Sequence, residues 1–221
     1  MLRRGRRAGE MWLVSTALLL ACSATNPHVR VRRTPEGYLQ VEGPLAGPFG
    51  TLEALAQNAC DIVLSQPGAM NGPYGFEYCA LYYYSAKDQA FFLSYLSDLS
   101  SNYPDGTKSC TLPRSLSDAS HPDAIILGGS HNHPHNRRFS AHDLSSRVRW
   151  RPTRIADSTG KVWERSTMLF YRENSGTCSS YLFNNQTLAV SALREGQWVE
   201  IGSVYNDRGD IQLREGMGWV P

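Results

Sequence analysis

The chain has 221 residues, 41% apolar and 19% charged, enough for one ordinary domain with its own core. Its formal charge is +2, but residues 1–21 carry Arg3, Arg4, Arg6 and Arg7 against the single Glu10, so the remainder is −1. Without that segment there is no basic patch of the kind nucleic-acid binding requires, and no fixed-period repeat that would build a solenoid or propeller.

Residues 1–21 join a basic start to the apolar run "MWLVSTALLLA", which is too short to span a bilayer comfortably and has the pattern of a secretory signal peptide. The run stops at Leu19-Leu20-Ala21-Cys22, which resembles a bacterial lipobox. Lipidation of Cys22 and anchoring to a membrane are expected, with cleavage after Ala24 and a soluble exported protein as the alternative. Residues 22–48 are rich in Pro and Gly and read as a tether and irregular lead-in with one short strand at "GYLQVEG". Residues 49–221 form the expected domain.

Within it, "TLEALAQNACDIVLS" is a helix: Leu52, Leu55, Ala56, Ala59 and Val63 recur at helical spacing, Thr51 caps the start, and Pro67-Gly68 stops it. "GFEYCALYYYSAKDQAFFLSYLSD" has the composition of a β-hairpin, in which Tyr82, Tyr83 and Tyr84 serve packing. A loop from 101 to 123 holds Cys110. "AIILGG" is a short buried strand, and "SAHDLSSRVRW" a helix ending before Pro152. Residues 167–183 form a second hairpin turning at Asn174-Ser175-Gly176, and "TLAVSAL" and "QWVEIGSVY" are two further strands, or a strand and a short helix. The fold class is α/β, one mixed-sheet domain flanked by helices. Cys60, Cys79, Cys110 and Cys178 are an even set in an exported chain, so two disulfides are expected, with three pairings open. Their wide spacing excludes a zinc ribbon.

Residues 124–146, "AIILGGSHNHPHNRRFSAHDLSS", hold four of the six histidines. His131 and His133 stand one residue apart, and alternate residues of an extended chain point the same way. Two imidazoles leaving a strand end can converge on one ion. Zn2+ takes imidazole and carboxylate, and at catalytic sites it keeps one place for water. Ser140 and Asp143 have capping-box spacing, which puts Asp143 in the first turn of the next helix, facing back toward that strand end. His135 and His142 remain alternative ligands. Three other histidine-metal patterns fail. HxHxDH lacks its Asp and a later His, HExxH is absent, and an amidohydrolase barrel needs a longer chain.

Glu77, His131-Asn132-His133-Pro134 and Ser140-Ala141-His142-Asp143 together resemble the JAMM (JAB/MPN+) metalloprotease superfamily, and most closely an uncharacterised bacterial branch of JAB-like domains. The likeness spans roughly residues 50–200 but is carried by residues 77 and 126–143; the interval from His133 to Ser140 is one residue shorter than is usual in that family. The resemblance implies a JAMM/cytidine-deaminase-like architecture, with Zn2+ held by His131, His133 and Asp143. It also implies Glu77 as the base that activates water and Ser140 as a donor to the developing oxyanion. Glu53, Glu164 and Glu173 compete with Glu77 for that role, and Glu53 is already explained by its place in the first turn of a helix. The implied activity is hydrolysis of a peptide or isopeptide amide in a protein or peptide substrate, outside the cytoplasm. The rivals are a non-catalytic JAB-like binding or structural module and a secreted effector of the same fold. Arg137 and Arg138 read as a solvated loop, with contact to a substrate carboxylate as the alternative. "RGD" at 208–210 is too short a match to carry weight.

Overall fold

A computed structural model describes residues 25–102, 108–146, 150–156 and 160–219; the expected signal peptide at 1–21 and the expected lipidation site Cys22 lie outside the described residues. Helix α1 spans Leu52–Leu64, as the periodicity predicts. The Thr51 hydroxyl accepts from the Ala54 N–H, and Glu53 stands in the first turn, where a negative charge suits the helix dipole. Leu55, Ala56, Ala59, Cys60, Val63 and Leu64 form its buried face. Each fully buried aliphatic side chain there is worth roughly 1.5–3 kcal/mol.

The strands preceding α1 are β1 (Val31–Arg33), β2 (Leu39–Glu42) and β3 (Ala46–Phe49). After α1 come β4 (Cys79–Ser85), β5 (Ala90–Leu93), β6 (Ser100–Asn102), β7 (Lys108–Cys110), β8 (Ser115–Ser117) and β9 (Ile125–Asn132). The single turn α2 (Ala141–Leu144) is followed by β10 (Arg154–Ala156), β11 (Val162–Glu164), β12 (Ser166–Arg172) and β13 (Cys178–Asn184). The chain closes with β14 (Ala189–Arg194), β15 (Gln197–Val204) and β16 (Ile211–Leu213).

Nine of these strands make one sheet in the order β16-β15-β14-β13-β12-β9-β4-β5-β3. All its pairings are antiparallel except β9 with β12, at the centre. Successive residues of β12 face opposite ways: Met168 and Phe170 pack with α1, and Leu169 packs with Phe139, Leu144, Tyr181, Phe183 and Trp219 on the other side. The sheet therefore has a helix-covered face and a second face closed by α2 and the C-terminal residues.

Both hairpins fall where the sequence places them, as β4–β5 and β12–β13, and "TLAVSAL" and "QWVEIGSVY" are both strands. Four expectations need correction. Among the described residues the flanking α-helices reduce to α1 and the one turn of α2, so the domain is mixed but dominated by its sheets. The helix expected from Ser140 toward Pro152 ends at Leu144, because the Ser146 N–H is taken by the Asp207 carbonyl and Gly209 packs against the Ala141 and Leu144 backbone. The tether of residues 22–48 is, in its described part, folded onto the domain: β2 buries Leu39 and Val41 and lies between β1 and β8, and β3 pairs with β5. The loop from 101 to 123 contains β7 and β8.

Cys60–Cys178 joins α1 to β13, and Cys79–Cys110 joins β4 to β7, which resolves the three possible pairings. Two disulfides are consistent with an oxidising, extracellular location. No helix among the described residues is long and apolar enough to cross a membrane.

The central parallel junction tolerates no side chain at Gly128. A Cβ there would lie 1.7 Å from the Ser166 carbonyl oxygen and 2.6 Å from the Tyr82 hydroxyl. Gly128→Ala is expected to destabilise the fold by about 3 kcal/mol or more, seen as a large drop in thermal midpoint or as loss of soluble protein. Gly50→Ala, at an exposed position with open space around it, is the control that leaves the midpoint unchanged.

Candidate metal centre

The centre forms where β9 ends. His131 is held in register between Cys79 of β4 and Leu169 of β12, and the His133 N–H continues the ladder to the Phe170 carbonyl at 3.0 Å. Alternation sends both imidazoles to one face and Asn132 to the other. The two Nε2 atoms lie 3.2 Å apart.

α2 supplies the third group. Ser140 is its N-cap in an extended conformation, and a complete capping box forms with Asp143. Asp143 Oδ2 accepts from the Ser140 N–H at 2.7 Å and the Ser140 hydroxyl at 2.6 Å. That fixes the carboxylate with Oδ1 3.5 Å from His131 Nε2 and Oδ2 3.4 Å from His133 Nε2. In this arrangement the hydroxyl donates to Asp143, so Ser140 orients a ligand.

His131, His133 and Asp143 can hold a metal ion: one donor atom from each lies within 4.8 Å of the others. The two imidazole Nε2 atoms, 3.2 Å apart, have the spacing of two corners of a tetrahedron, and each faces a different oxygen of Asp143, Oδ1 at 3.5 Å from His131 and Oδ2 at 3.4 Å from His133. At metal–donor distances of 2.0–2.1 Å, two corners of a tetrahedron lie about 3.3–3.4 Å apart. Three protein donors are fewer than the four that a structural zinc site usually has. The buried Nδ1 of His133 has no hydrogen-bond partner among the described residues, so that ring is oriented by its backbone ladder and packing. His142, an alternative ligand on sequence grounds, is exposed, as is His135, and neither joins the cluster.

Glu77 reaches the same point from far upstream in the chain, its Oε1 3.8 Å from His133 Nε2. It is 4% exposed, and burial pushes its carboxyl up to about 7. His133 and the Cys110 N–H pull it down, and Asp143 pushes it up. Burial also opposes ionisation of Asp143, but the His131 and His133 rings outweigh it and hold that carboxyl well below the usual range. The competing glutamates lie elsewhere: Glu53 on α1, Glu164 bonded to Arg154 and Asn184, and Glu173 paired with Arg137.

Two positioning features escape sequence reasoning. The buried Asn132 accepts from the Tyr78 N–H at 2.8 Å and donates to the carbonyls of Phe76 at 3.0 Å and Ala69 at 3.1 Å. It thus grips the backbone on both sides of Glu77. The Cys79–Cys110 disulfide holds β7 against β4, which keeps the Cys110 N–H on the Glu77 carboxylate. The only signal for Asn132 is its polar side chain between two histidines on a strand, facing the opposite side, where a buried amide must find partners.

Comparison of the chain with protein-family models, with curated proteins and with solved structures finds no match in any of the three.

One divalent ion per chain is expected by elemental analysis. His131→Ala and His133→Ala should each abolish binding. Ser140→Ala should weaken it 10–100-fold through loss of ligand orientation, and His142→Ala should leave it unchanged.

In the metal-free protein Glu77 has a raised pKa, so its ionised form is a cost. That cost is absent below the unfolded value near 4.5 and complete above about 7. Glu77→Gln should therefore stabilise the metal-free chain at pH 8, by roughly 3 kcal/mol at most, and change little at pH 4. Equal shifts of thermal midpoint at the two pH values would contradict this.

Proposed function

We propose that the chain is a zinc-dependent amide hydrolase of the JAMM type, exported and anchored to the bacterial envelope through a lipid on Cys22, with a protein or peptide as substrate. The observation that carries this reading is a buried Glu77 whose carboxylate lies beside a three-donor cluster, 3.8 Å from His133 Nε2. A structural ion site needs no such carboxylate and usually has four protein donors. Two imidazoles and a carboxylate are donors that zinc takes, and the two disulfides suit a compartment outside the cytoplasm.

When bound, zinc supplies Lewis acidity and lowers the pKa of water toward neutrality. The residues of the chain do the rest. Glu77 Oε1 accepts a proton from the attacking water, and the resulting carboxylic acid returns that proton to the leaving amide nitrogen. Burial matches its pKa to both tasks, since a base poised near the working pH can take the proton and give it back. Asn132 and the Cys110 N–H keep the carboxylate in place through both transfers. Ser140 holds Asp143 by its N–H and its hydroxyl. When the hydroxyl turns to the developing oxyanion, the N–H at 2.7 Å retains the ligand.

The test is a peptidase and isopeptidase screen on the purified protein, with metal content measured alongside. Glu77→Gln should keep one zinc per chain and lose activity by at least about 10²-fold. Asn132→Ala should also keep zinc and lose activity, because the Glu77 segment loosens. The acidic limb of the kcat/KM–pH profile should fall at or below pH 7, since a nearby cation lowers the carboxyl from the value burial gives it. Unchanged activity in Glu77→Gln would remove its catalytic role. Stoichiometric zinc with no hydrolysis of any substrate class would favour a binding module.

A further inference from the structure

A cleft of about 600 Å³ opens beside the metal centre, with Arg137, Arg138, Tyr171, Leu213 and Trp219 among its walls. Two links tie it to the metal ligands. The His133 N–H donates to Phe170, and the next residue, Tyr171, lines the cleft. Phe139 stands between the two sites, its ring centroid 6.3 Å from that of His131 and 6.5 Å from that of Trp219. The Phe139 ring is thus a neighbour both of the His131 imidazole and of the Trp219 wall of the cleft.

The charge of the cleft has one available sign. Arg137 is half-buried and stacks over Tyr171 at 5.7 Å, with its Nη2 2.7 Å from Glu173 Oε2. The Ser179 hydroxyl donates to the other Glu173 oxygen at 2.9 Å, so this acid is fully occupied within the protein. Arg138 is exposed and makes no ion pair among the described residues, and its backbone N–H is fixed by Asn136 Oδ1 at 2.9 Å. Arg138 thus lines the cleft together with Tyr171, Leu213 and Trp219 without an internal ion pair among the described residues, in a chain whose net charge beyond residue 21 is negative. A guanidinium presents a planar fork that matches a carboxylate, and apolar neighbours strengthen that bond by thinning the water around it.

We propose that this cleft selects acidic peptides: a substrate Asp or Glu carboxylate is received by Arg138, beside the internally neutralised Arg137–Glu173 pair. The proposal rests on the hydrolase reading for the identity of the bound peptide as substrate, whereas the binding preference is measurable without turnover. The probes are two fluorescein-labelled hexapeptide pools, one with Asp or Glu fixed at a central position and the other with Asn or Gln there. Anisotropy titrations use the Glu77→Gln protein, in which bound peptide stays intact. The acidic pool should bind about tenfold more tightly. Arg138→Gln should erase that difference, and added salt should reduce it. Arg138 is exposed, so the substitution leaves the fold intact. Equal affinities for the two pools, no saturable binding of either, or a preference that survives Arg138→Gln would overturn the proposal. Acidic preference with no cleavage by the wild-type protein would sink the hydrolase reading and keep the cleft. Cleavage without acidic preference would do the reverse.

Discussion

The parallel contact between β9 and β12 governs the geometry of the centre. It exists because Gly128 lets the Ser166 carbonyl and the Tyr82 hydroxyl come where any Cβ would stand; that hydroxyl in turn donates to the same carbonyl at 2.6 Å. With β4 on its other side, β9 is clamped along its length and its last residues have little freedom. His131 is fixed inside the ladder and His133 by one more backbone hydrogen bond. Metal ligands built on a clamped strand are more precisely placed than ligands on a loop.

The rest of the centre is brought to that strand end by polar contacts that each serve two purposes. Asn132 satisfies its own buried amide and also positions the segment carrying Glu77. The capping box satisfies the start of α2 and also aims Asp143 at the imidazoles. The Cys79–Cys110 bridge secures β7 and so delivers a backbone donor to Glu77. A buried carboxylate is costly to keep, and these contacts hold Glu77 in a place that burial alone would not favour.

α1, both hairpins and the positions of β14 and β15 were legible from periodicity, capping and turn residues, because those signals act over a few neighbouring positions. The strands β1, β3, β7 and β8 were not, since each is three or four residues long and is stabilised by distant partners. β2, glimpsed in "GYLQVEG", pairs in parallel with β8, more than seventy positions away, a distance at which no local pattern operates. α2 was legible at its start and illegible at its end, because its stop is imposed by Asp207 and Gly209 from another part of the chain.

At the centre the same division holds. The sequence by itself determined that His131 and His133 share a strand face and that Asp143 opens the next helix, since strand alternation and the capping box are local rules. It also determined that four cysteines were available to pair. Only the tertiary structure decided which cysteines met and that His135 and His142 stay outside the cluster. It also decided that Ser140 gives its proton to Asp143, that Asn132 grips the backbone around Glu77, and that Glu77 is buried beside His133. The reason is physical. Desolvation and hydrogen-bond satisfaction depend on every group that surrounds an atom, and those neighbours come from strands far apart in the chain.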